Sequence, residues 1–147
     1  RVVLRAYGER CAVTGLKLIN GGGRAEVAAA HIRPVEQNGP DIINNGVALS
    51  GTAHWMFDRG MIGFSDDLEI MVSRQVNDRE GVESLINKTG RLIGPLAARD
   101  RPHPGFLNWH REGGARADGL ALGRKVPHPA LRADLSPMGR GGIRRPG

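Results

Sequence analysis

His31, Asn45 and His54 are the residues whose types and spacing invite chemistry; they stand 14 and 9 positions apart. An imidazole titrates near neutrality, so a histidine can take a proton from water. Asn45 precedes Gly46 inside a stretch of turn formers, residues 36–46 (EQNGPDIINNG), and its amide can both donate and accept hydrogen bonds. His54 is followed four residues later by Asp58. On a helix that spacing puts both side chains on one face, close enough to share a divalent cation. One nitrogen and one oxygen donor suit Mg, Mn, Zn or Ni without choosing among them. Each residue alone has an ordinary explanation: a hydrogen-bonded core histidine, a turn asparagine, a surface pair. Their joint order carries the weight, because a turn, a strand and a helix across residues 45–58 would bring loop, strand and helix into one cleft.

The elements that must position them are short. Val2, Val3 and Ala6 can share one side of a helix that Gly8 ends. Residues 11–15 read as a strand and turn, and Gly21, Gly22 and Gly23 as a loop. Residues 26–32 (EVAAAHI) lean to helix on alanine propensity, with extended backbone forced before Pro34. Asn45-Gly46 signals a tight turn and residues 47–49 a strand. Ser50 or Thr52 would cap a helix over residues 52–59 that stops at Gly60. Trp55, Met56 and Phe57 offer core anchors for it, although three consecutive residues cannot all face inward. Residues 61–64 and 68–72 flank a Ser65-Asp66-Asp67 turn and read as a β-hairpin. Residues 80–87 read as a short helix. Phe106 and Trp109 pack a closing segment, while His103 and His110 read as surface residues.

Composition sets outer limits. The chain has 147 residues, with 22 Gly, 9 Pro and 4% aromatics. A (β/α)8 barrel or a complete doubly wound sheet needs roughly 200 residues or more, so an α+β class of small elements fits better. The formal charge is +6, but residues 1–112 hold 14 basic against 13 acidic groups, and residues 113–147 hold 7 against 2. That Gly- and Pro-rich tail reads as an extended or partly disordered basic arm, able to help hold a polyanion. Cys11 is the only cysteine, which forbids an intrachain disulfide and any zinc site needing two or more cysteines. The usage fits a reducing, cytoplasmic setting. No apolar run reaches the roughly 18 residues of a spanning helix, so no membrane partner is expected. The opening Arg1-Val2-Val3-Leu4 reads as mid-helix, as in a fragment of a longer protein.

Several segments taken together resemble the HNH nucleases, in the branch of restriction endonucleases. They are residues 29–34 (AAHIRP), 39–41 (GPD), 44–49 (NNGVAL) and 54–62 (HWMFDRGMI). Residues 4–7, 10–15 and 102–111 resemble the entry and close of that domain, so the likeness covers residues 1–112. The resemblance implies a ββα-metal core, with flanking short helices and a hairpin, around one divalent cation, Mg first, with Mn, Ni or Zn as alternatives. It moves residues 27–32 from helix to strand, with His31 at the strand's end.

By the same resemblance His31 is the general base, Asn45 steadies the loop or the ring, and His54 is a metal ligand. The position before the base often carries a ligating Asp or His, and here it is Ala30. Asp58 is the first candidate for the missing ligand, ahead of Glu26 or Asp41. Arg33, Arg59 and Lys17 are candidate phosphate contacts. The implied partner is DNA, together with an N-terminal recognition domain and a second copy of the chain. The implied activity is metal-dependent hydrolysis of DNA phosphodiesters. Its rival is a catalytically weak DNA-binding or structural module on the same scaffold.

Overall fold

The structure is a computed structural model that describes residues 2–114 and 125–127. Helix α1 (Val2–Ala6) leads into a tight turn at Gly8 and Glu9, both with positive φ. Strand β1 (Ala28–His31) pairs antiparallel with β2 (Gly46–Leu49), with Ala30 opposite Val47 and His31 opposite Gly46. Helix α2 (Gly51–Asp58) follows after Ser50 alone and packs against both strands. This is the expected ββα unit, and β1 is a strand despite its alanines. Pairing to a wholly buried β2 outweighs a helix propensity of a few tenths of a kcal/mol per residue.

Residues 11–15 depart from expectation. They form a buried turn rather than a strand. Cys11, Ala12 and Val13 are fully buried. The Ala12 amide donates to the Ala48 carbonyl at 2.9 Å, and the Ala12 carbonyl accepts from Ile93 at 2.9 Å. The segment thus closes the outer edge of β2 by isolated bonds. The tight turn signalled by Asn45-Gly46 lies just before that dipeptide's glycine. Asn45 ends a 3-10 turn (Ile43–Asn45), and Gly46 opens β2 with an extended φ of −135°. Glycine is needed there for close approach, because a Cβ would meet the Val3 side chain of α1 at 2.5 Å.

Strands β3 (Ile62–Phe64) and β4 (Ile70–Ser73) form the expected hairpin. Strand β5 (Lys125–Pro127) adds to β4 antiparallel, giving the order β3-β4-β5. The segment read as a basic arm therefore contributes a strand; the rest of residues 115–147 lies outside the described residues. Helix α3 (Arg79–Ser84) overlaps the helix expected over residues 80–87, starting one residue before it and ending three residues short, and is capped by Asp78, which accepts from Gly81. Helix α4 (Pro104–Trp109) runs into a π-helical turn, His110–Gly114. Its alternation of Gly, Asn and aromatics hides the helical period in sequence.

Phe57, Phe64, Ile32, Leu49, Ile62, Ile70 and Leu107 are the large side chains at the core's centre. Phe57 and Phe64 meet at 5.6 Å between ring centroids. Each such side chain contributes about 1.5–3 kcal/mol of burial. With only 3 Phe in the chain, these two join α2 to the hairpin. Trp55 is not a core anchor: it is 52% exposed, while Met56 and Phe57 beside it are buried.

Candidate active site

The loop between β1 and β2 is built around one buried amide. Asn45 is fully buried. Its Oδ1 accepts from the Arg33 backbone N–H at 2.9 Å, and its Nδ2 donates to the Arg33 carbonyl at 2.9 Å and the Pro40 carbonyl at 2.8 Å. Its own carbonyl accepts from Ile32 at 2.9 Å. Residues 32–33, just past His31, are thereby fixed to residue 45, just before β2. Gly39 completes the turn, since a Cβ there would fall 1.8 Å from the Arg33 carbonyl oxygen. The exposed His31 ring at the end of β1 meets Asp41, with Nε2 and Oδ1 3.1 Å apart.

The second pair lies on α2. His54 Nε2 and Asp58 Oδ2 are 3.3 Å apart, with side chains 32% and 52% exposed. Burial raises the Asp58 carboxyl above the usual carboxylate range, against the opposing pull of His54 and Arg59. A half-buried carboxylate of this kind favours a nearby cation. At a separation of 3.3 Å the two donors are close enough to share one divalent cation. His54 and Asp58 are the side chains that would hold such a cation. Among the described residues no group of three or more His, Cys, Asp or Glu side chains is gathered to hold a metal. Ala30 supplies no donor and is buried against β2.

The start of α2 is held differently from expectation. Ser50 occupies the N-cap position without a side-chain cap bond; its Oγ faces Cys11 Sγ at 3.6 Å. Glu26 caps the helix instead, accepting from the Gly51 N–H at 2.7 Å. That contact explains Glu26 without a metal. The far end of α2 is held by His110, a residue read from sequence as surface and in fact 2% exposed. Its Nε2 donates to the Phe57 carbonyl at 2.7 Å, and its ring stacks on Phe57 at 3.9 Å and 7°. A buried histidine beside a helix end has no periodic signature, and the only clue was its place in the closing segment. Asn44 was also missed. Its Nδ2 donates to the carbonyls of Arg99 and Arg101, at 2.9 and 2.8 Å, tying the segment before α4 to the loop.

The three candidate phosphate contacts lie on different elements. Arg33 donates from Nε to the Gln37 carbonyl at 2.6 Å and lies 5.4 Å from the Trp109 ring centre. Arg59 lies 4.2 Å over Trp55 and donates to the Trp55 carbonyl at 3.2 Å. Lys17 is exposed and lines an open cleft with Arg5, Arg24 and Ala29. The structure thus places Arg33 on the loop of His31, Arg59 beside Asp58, and Lys17 along β1.

Residues 11–65, which hold both pairs, match a family model described as HNH endonuclease. This stretch is an HNH-family nuclease domain. A solved structure entitled "Modification dependent TagI restriction endonuclease" resembles the chain with a TM-score of 0.56 and 27% identity. The likeness covers 76% of this chain and 35% of that one, so it extends beyond the matched stretch while spanning about a third of the endonuclease. No curated protein matches the chain. Both similarities are to nucleases. No helix among the described residues is long and apolar enough to cross a membrane.

Proposed function

We propose that the HNH domain is the cleavage module of a metal-dependent endonuclease that hydrolyses DNA phosphodiester bonds. The observation that carries this reading is the placement of His31, Asn45 and His54 on β1, at the entry to β2, and on α2 of one ββα unit. His31 takes the proton of the attacking water. Asn45 holds the backbone on both sides of the loop, so that the ring keeps its place. His54 and Asp58 would hold one divalent cation, Mg first and Mn, Ni or Zn as alternatives. When bound, the cation supplies positive charge to the phosphate oxygens and the departing 3′ oxygen. Arg33, Arg59 and Lys17 hold neighbouring phosphates and set register without reading sequence.

DNA is chosen as substrate because the solved relative is named a restriction endonuclease. Modification dependence belongs to that protein. We assign any choice of base or modification to a recognition domain outside the shared part, N-terminal in our reading, and double-strand cutting to a pair of copies. The domain is taken as residues 1–112, with Lys125–Pro127 of the basic segment that follows paired to β4. Supercoiled plasmid with Mg, Mn, Ni or Zn, against an EDTA control, tests the proposal. Metal-dependent nicking or linearisation is expected. The rival reading, a DNA-binding scaffold that does not cut, draws on Ala30 and the two-membered donor set. It predicts a plasmid shifted in a gel but uncut with every metal.

A further inference from the structure

Asp41 has no part in the mechanism above, yet it is the side chain that touches the proposed base. We propose that Asp41 is a positioning residue that orients the His31 ring and keeps its proton on Nε2, leaving the Nδ1 lone pair to accept the proton of water. This rests on the reading of His31 as the base. The contact of 3.1 Å joins His31 Nε2 to a carboxylate oxygen, and an ionised carboxylate can only accept. A neutral ring meeting it must therefore donate from Nε2.

The fold builds this contact deliberately. Asn45 Nδ2 holds the Pro40 carbonyl, one residue before Asp41, and the Arg33 carbonyl, two residues after His31. Both members of the pair thus hang from one fully buried amide. Gly39, whose missing Cβ admits the Arg33 carbonyl, brings the chain back toward β1. Asp has a short side chain, so little rotamer freedom separates this backbone from the ring. The Asp41 side chain is 90% exposed, and an exposed pair of this kind adds little stability. Its consequence is therefore orientation. The carboxylate also faces the imidazolium that forms when Nδ1 takes the proton, while water oxygen bonds to phosphorus and the 3′ oxygen leaves.

The test compares wild type with Asp41→Ala and Asp41→Asn, in metal-free and metal-loaded protein. Long-range 1H–15N spectra of the metal-free proteins, at a pH of about 8.5 where an imidazole is neutral, should show wild-type His31 protonated on Nε2. In Asp41→Ala the two ring-nitrogen shifts should move toward each other as tautomers mix. Plasmid cleavage by both variants should lose on the order of 10-fold in kcat, with KM and the half-saturating metal concentration unchanged. Identical ring shifts in wild type and Asp41→Ala would overturn the proposal. So would an unchanged kcat in both variants, or a loss cured by more metal, which would make Asp41 a ligand. A wild-type protein that cuts nothing would sink the nuclease reading instead, and the spectra would still decide the contact.

Discussion

Replacing Asn45 by Ala should damage stability and cleavage together. The amide makes three side-chain hydrogen bonds, to the Arg33 N–H, the Arg33 carbonyl and the Pro40 carbonyl, and is fully buried. A net value of about 1 kcal/mol for each bond gives roughly 3 kcal/mol. The stranded partners lie at a part-buried turn, so water can replace some of what is lost, which argues against a larger figure. For a domain of this size a loss of 3 kcal/mol lowers Tm by roughly 10–18 °C. Urea unfolding followed by circular dichroism measures the first quantity, and plasmid nicking well below the lowered Tm measures the second. Nicking should fall by at least about 10-fold even where the variant is fully folded, because the loop that seats His31 is no longer pinned. A loss below about 1 kcal/mol with unchanged nicking would refute the claim that this amide builds the site.

Three further outcomes follow from the same geometry. His110→Ala removes a ring stacked on Phe57 and the bond to the Phe57 carbonyl; it should cost about 3 kcal/mol in urea unfolding, and His110→Phe should recover part of that. Glu26→Gln weakens the cap on α2 and should lower stability by about 0.5–1 kcal/mol, without shifting the metal concentration that half-saturates cleavage. In metal-free protein Asp58, raised by burial, binds its proton more tightly folded than unfolded. Its contribution to stability is therefore lost as pH rises from the ordinary carboxylate value of about 3.9 through the raised folded value. Asp58→Asn should flatten that part of the Tm-versus-pH curve and hold Tm at neutral pH, while metal-dependent cutting disappears.

The His54–Asp58 pair of the candidate site could be read from residue order, because it is local. The i,i+4 spacing of His54 and Asp58 requires only a helix, and the structure places the two side chains together on α2. The loop 32–45 was visible through its turn formers and Pro34. What it does was not visible: Asn45 bonds across 12 residues to Arg33, and Asp41 across 10 to His31. Neither leaves a period. Gly46 shows the limit of a dipeptide signal, since the glycine of this Asn-Gly serves the close approach of Val3 rather than the turn before it. Propensity failed at β1 because the neighbour strand, not the alanines, decides its state. His110 was missed for a similar reason: its burial depends on Phe57, which lies 53 residues away.

Whether His31 is the base of a metal-dependent DNA-cutting site is decided by comparing two proteins. Wild type and His31→Ala, matched for folded content by circular dichroism, would be given the same supercoiled plasmid with Mg or Mn and with EDTA. Wild type should cut only with metal, and His31→Ala should lose about 10²–10⁴-fold in cutting with DNA affinity unchanged. Equal cutting by the two proteins, or cutting that persists in EDTA, would contradict that role.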